Sequence, residues 1–146
     1  DIDEQTSCYY SLANLQRLQE KFVQARVSAH RSLNASRETG SRATEANVLT
    51  LLALVEKDAH LNSESSDLEL ALQYAKEAVS VYDEIEFLRG RAAGLITLGL
   101  IQRELDQLAE AQMTWEDGLH LAESLSNQIL ISRYSELLAT LQNRNL

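Results

Sequence analysis

Among its 146 residues the chain has one cysteine and three histidines, the side chains best suited to act as nucleophiles, bases or metal ligands. Cys8, His30, His60 and His120 are separated by 22, 30 and 60 residues, and no acid pair joins them at ligand spacing. Zinc and catalytic thiol–imidazole sites need such residues close together or held by a recognisable motif. The histidines therefore read as surface residues. Cys8 reads as a buried thiol on an apolar helix side. There is no glycine-rich phosphate loop and no nucleophile elbow. Acids are plentiful but scatter over solvated helix faces, so no catalytic carboxylate pair stands out. The expectation is a chain that is not an enzyme and binds no metal or cofactor.

The composition narrows the partners. Lys and Arg number 13 against 22 Asp and Glu, a net charge of −9. This argues against nucleic acid and anionic membranes, which select basic surfaces. No apolar run is long enough to span a bilayer, and no signal peptide is visible. A single cysteine fits a reducing, cytoplasmic setting. Asp1 in place of an initiating methionine leaves room for a longer parent chain.

The residues that must position any site are small. Ala13, Ala53, Gly99 and Ala139 each follow a leucine and lie 40, 46 and 40 residues apart. Ala25, Ala71 and Ala111 repeat with spacings of 46 and 40. A period of this size marks stacked helix pairs. Apolar residues recur at steps of three and four throughout, as in Leu95, Leu98 and Gln102 or Leu108, Ala111 and Trp115. Helices are expected at about 4–19, 21–37, 42–59, 67–84, 88–105, 107–125 and 128–142. Gly40 and Gly90 read as turn glycines with left-handed backbone angles. Ser66-Asp67-Leu68-Glu69 reads as a capping box. Ala53 to Ala71 is six residues longer than Ala13 to Ala25 or Gly99 to Ala111, which assigns a six-residue insertion to a polar loop at 60–65.

The third unit resembles a tetratricopeptide repeat. The likeness rests on Leu98-Gly99, on Asp106 through Ala111, and on Trp115 and Gly118. The second unit is similar through Leu52-Ala53, Asp67, Ala71, Tyr74 and Ala78, and the first through Leu12-Ala13, Ala25 and Leu33. The period exceeds the usual one of about 34 residues, as in the longer variety found in bacterial regulators and signalling scaffolds. The resemblance implies one all-α domain over 1–146, a right-handed α-solenoid of antiparallel helix pairs. Its three repeats are about 5–39, 42–84 and 88–125, followed by a seventh, C-terminal helix at about 128–142. Trp115 is expected as a core filler, since Ala29 and Ala75 hold the equivalent positions.

In a solenoid of this type the first helix of each unit lines a concave groove. The lining positions here are Tyr10, Asn14 and Arg17, then Thr50, Leu54 and Lys57, then Ile96, Leu100 and Arg103, with Glu136, Thr140 and Asn143 on the seventh helix. Leu54, Ile96 and Leu100 form an apolar patch, and Arg17, Lys57 and Arg103 a basic ladder. Together they suit a peptide or helical segment with apolar anchors and acidic flanks. A second reading places the three cations in the last turns of their helices, offsetting the helix dipole. A chaperone-tail clamp is disfavoured, because Tyr10, Ile96 and Leu100 stand where that resemblance calls for cations.

On the seventh helix Ile131, Tyr134, Leu137 and Leu141 form an apolar stripe. It reads as packing on the sixth helix, with any exposed part serving truncated repeats or homo-oligomer formation. The N-terminal end, with Cys8 and Ser11 at matching positions, reads as better adapted to solvent. Two functions follow as expectations: a protein-interaction module, or a structural, self-associating solenoid segment with no groove ligand.

Overall fold

The computed structural model describes residues 1–144, and they form seven helices. They are α1 (Ile2–Leu18), α2 (Phe22–Thr39), α3 (Arg42–Leu61), α4 (Leu68–Glu84), α5 (Leu88–Glu104), α6 (Leu108–Ser124) and α7 (Gln128–Arg144). Every expected helix is present, with ends within two residues of those read from the periodicity. Proline is absent and Leu, Ala, Glu, Gln and Arg dominate, so nothing breaks a helix from within.

What stops each of the first six helices is the same device. The N–H groups of Lys21, Ser41, Glu64, Phe87, Gln107 and Asn127 each donate to the carbonyl five residues back, at 2.8–3.0 Å. This is the closing bond of a Schellman turn, and it requires a left-handed residue just before the donor. Gly40 supplies one at φ 70°. The other five are Glu20, Ser63, Glu86, Asp106 and Ser126, none of them glycine. Gly90 was expected to serve this role and does not. It lies inside α5, where the rings of Tyr82 and Phe87 occupy the space a Cβ would need, at 2.5–2.7 Å.

The insertion also differs from expectation. α3 has 20 residues where α5 has 17, and the link to α4 spans 62–67 where that between α5 and α6 spans 105–107. Half of the extra length therefore extends the helix and half the loop. Asp67, not Ser66, caps α4, its Oδ1 accepting the Leu70 N–H at 2.9 Å.

Consecutive helices pack on one another through short turns that make them antiparallel. Odd helices also meet their odd neighbours: α1 touches α3, α3 touches α5, and α5 touches α7. Even helices do not approach each other as closely. The stack is therefore tighter on its odd side, which is the inner wall. The result is an all-α solenoid of helix pairs. Among the described residues no helix is long and apolar enough to cross a membrane.

The small residues lie at the close crossings. Ala13, Ala25, Ala53, Ala71 and Ala111 are fully buried. Trp115 fills the third unit, its indole seated on Gly99 and its Nε1 donating to the Ile96 carbonyl at 3.3 Å. A polar clasp repeats within units: Ser28 Oγ donates to Gln16 Oε1, and Thr114 Oγ1 to Gln102 Oε1, both at 2.7 Å across 12 residues.

The α7 stripe packs on α6 as read, whereas the N-terminal end reverses expectation. Tyr134, Leu137 and Leu141 are buried in the core that α5 and α6 share with α7. The Tyr134 ring lies on Gly118, and its hydroxyl donates to the Ala92 carbonyl. That stripe offers no self-association surface; only Ile131 keeps partial exposure. The N-terminal face is the apolar one, with Leu12, Leu15, Leu18, Val23 and Val27 exposed. Cys8 is exposed with them rather than buried, because no helix precedes α1 in the described chain to cover its outer side.

Candidate functional site: the inner wall

The nine residues expected to line a groove fall on the odd-helix layer, and all are half-buried. Tyr10 packs against the core of the first two units, and Ile96 and Leu100 against that of the last two. Leu54 lies between them on α3, at the same register as Leu100. Thr50 donates its hydroxyl to the Ala46 carbonyl at 3.0 Å. Ile96 and Leu100 are thus held by core packing, and all three apolar residues keep part of their surface open.

The three cations are not equivalent. Arg17 reaches across from α1 to Asp58 of α3 at 2.5 Å and holds the Asn14 side chain at 3.0 Å. Lys57 pairs with the other oxygen of Asp58 at 2.8 Å. One carboxylate therefore sits between two rungs of the ladder and bridges α1 to α3. Arg103 meets Glu104 at 3.8 Å, donates to Thr140 Oγ1 on α7 at 3.3 Å, and lies 5.6 Å from the Trp115 ring centroid. Its Nε is buried with no hydrogen-bond partner. Arg103 is consequently the least neutralised of the three.

The dipole reading of the cations holds for Arg17 and Arg103, which lie in last turns. It fails for Lys57, because α3 runs on to Leu61. The site residue missed from sequence is Asp58. A signal existed, since the cation–acid dipeptide Lys57-Asp58 recurs as Arg103-Glu104. On α7, Glu136, Thr140 and Asn143 are exposed, and Thr140 alone is tied to the wall, through Arg103.

No family model and no curated protein matches this chain. The inner wall is therefore judged on its own chemistry. Among the described residues, no three His, Cys, Asp or Glu side chains lie close enough to hold a metal ion. His30, His60 and His120 are exposed, and His30 stacks edgewise on Tyr74 at 6.4 Å between centroids.

A buried acidic hub lies at the outer side of the same units. Glu56, nearly closed from solvent, accepts from Arg26 Nε at 2.6 Å and from the Asp67 N–H at 2.9 Å. Arg26 also donates to the Ser65 carbonyl at 2.7 Å. The 62–67 loop is thereby pinned across the junction of the first two units, which gives the insertion a structural task.

Proposed function

We propose that this chain is a protein-interaction module of the tetratricopeptide kind, binding a peptide or helical segment along its inner wall. The observation that carries the reading is the set of half-buried apolar residues Leu54, Ile96 and Leu100 on the concave layer, with Arg103 beside them. Half-buried apolar side chains on one layer suit the apolar anchors of a partner. An acidic flank on that partner would meet Arg103 first, since Asp58 already engages Arg17 and Lys57. The single cysteine supports a cytoplasmic setting.

A second reading has its own support. The Arg17–Asp58–Lys57 bridge ties α1 to α3, as expected of cations that stabilise a solenoid with no groove ligand. Peptide selection on the intact chain separates the two. The binding reading expects acid-flanked apolar peptides whose affinity falls at least tenfold with Leu54→Ser/Leu100→Ser and with Arg103→Glu. Arg17→Glu is expected to lower stability more than affinity. Selected peptides indifferent to the Leu54, Leu100 and Arg103 changes would defeat the groove.

A further inference from the structure

We propose that the chain forms a two-fold dimer through its N-terminal face, with α1 packed antiparallel against α1 of a second copy. The argument begins with register. Cys8, Leu12 and Leu15 of α1 match Val48, Leu52 and Val55 of α3 at an offset of 40. They match Leu98 and Ile101 of α5 at the last two positions. On α3 and α5 these positions are closed by the preceding helix pair, and Val48, Val55 and Ile101 are fully buried. On α1 the same stripe is open: Leu12 is 42% and Leu15 51% exposed, with Val27 of α2 beside them at 51%. Among the described residues, the N-terminal face thus repeats the stacking interface that runs through the rest of the solenoid and leaves it open.

The pattern within the stripe selects the occupant. Gln5, Cys8, Leu12, Leu15 and Gln19 are spaced three, four, three and four, the a/d seam of a coiled coil. None is charged, although the chain carries −9. At the matching position of Gln5, the covered helices carry Glu45 and Arg91, each neutralised by ion pairs that include one to the preceding unit. The exposed stripe has lost those charges. The seam itself therefore brings no like charges together when a second copy approaches. With the two-fold axis between Leu12 and Leu15, Leu12 of one copy meets Leu15 of the other and Cys8 meets Gln19. Of the flanking seam residues Glu4, Ser11 and Leu18, the two nearest the axis are uncharged. The opposite end of the stack offers no such seam: α7 presents Gln128, Ser132, Ser135 and Gln142, with Ile129 the large apolar side chain among them.

Sedimentation velocity on the full chain, from low micromolar to near-millimolar and under reductant, tests the proposal. A monomer–dimer equilibrium is expected, unchanged by Cys8→Ser and by Ile129→Glu. Leu12→Glu/Leu15→Glu is expected to abolish the dimer while leaving helicity unchanged, since both side chains are already exposed. The milder Leu12→Gln/Leu15→Gln pair gives the same result should the charged pair disturb folding. A chain that stays monomeric throughout overturns the proposal, as does a dimer that survives either double change. Open-ended polymers growing with concentration also overturn it, because they signal head-to-tail stacking.

Discussion

Trp115 lies directly on Gly99, so that the indole of α6 occupies the volume a side chain on α5 would need. The same positions in the first two units are Ala13 with Ala29 and Ala53 with Ala75. The third unit has exchanged two alanines for a glycine and a tryptophan, and the two changes depend on each other.

Gly99→Ala is therefore expected to destabilise the fold by about 1–3 kcal/mol, the usual range for overpacking a rigid core. The cost should largely vanish when Trp115 is already Ala. A double-mutant cycle by urea denaturation reads this as a coupling of more than about 1 kcal/mol. Additive losses would mean that the two sites are independent.

Glu56 makes a separate prediction. Its carboxylate is almost closed from water and is satisfied by Arg26 and the Asp67 N–H. Glu56→Ala leaves a guanidinium and an amide short of a partner, at a cost of about 3 kcal/mol. Hydrogen exchange at residues 62–67 should accelerate before the rest of the chain, because the loop loses its tie to α2.

Acid should act through Glu45. Burial pushes its carboxyl up, but the Arg37 guanidinium at 3.0 Å and that of Arg42 at 2.8 Å outweigh this and hold it below the ordinary glutamate value. A carboxyl lowered in the folded state stabilises above its unfolded value, about 4.3. That contribution is lost as pH falls through the folded value. Thermal melts of Glu45→Gln should show a smaller stability loss below about pH 4.3 than those of the parent chain.

Turn strain can be relieved one residue at a time. Glu20, Glu86, Asp106 and Ser126 hold left-handed backbones without being glycine. Glu86→Gly should stabilise by up to about 1 kcal/mol, the strain released less the extra freedom of the unfolded chain. Gly40→Ala should destabilise by a similar amount. Chemical denaturation of the two variants provides the comparison.

The period and the close crossings were legible because Ala13, Ala25, Ala53, Ala71 and Ala111 are small for a reason that sequence displays. Helix ends followed from the same periodicity. Gly90 misled because a glycine serves equally as a turn or as a floor for a ring, and only the positions of Tyr82 and Phe87 separate the two. Asp58 was visible only as half of a recurring cation–acid dipeptide, Lys57-Asp58 and Arg103-Glu104, which does not say that Arg17 reaches it from α1. The N-terminal end was misread for a deeper cause. Periodicity states that Leu12 and Tyr134 lie on apolar faces, but not which face another helix covers. The inner-wall residues lie on one layer, yet the pairing that removes two cations from that surface is a fact of distance between α1 and α3.

The junctions between units also differ in physical origin. Arg17–Asp58, Arg26–Glu56, Arg37–Glu45 and Arg37–Glu77 all tie the first unit to the second. Among the described residues, Arg91–Asp83 is the one ion pair joining the second unit to the third, where the Tyr82 ring on Gly90 and Gly94 makes the contact instead. Salt screens the partly exposed pairs and leaves ring packing intact. Ionic strength thus becomes a dial on the first junction more than on the second: high salt loosens its exposed ion pairs, while the apolar core that the first two units share keeps their helix pairs joined.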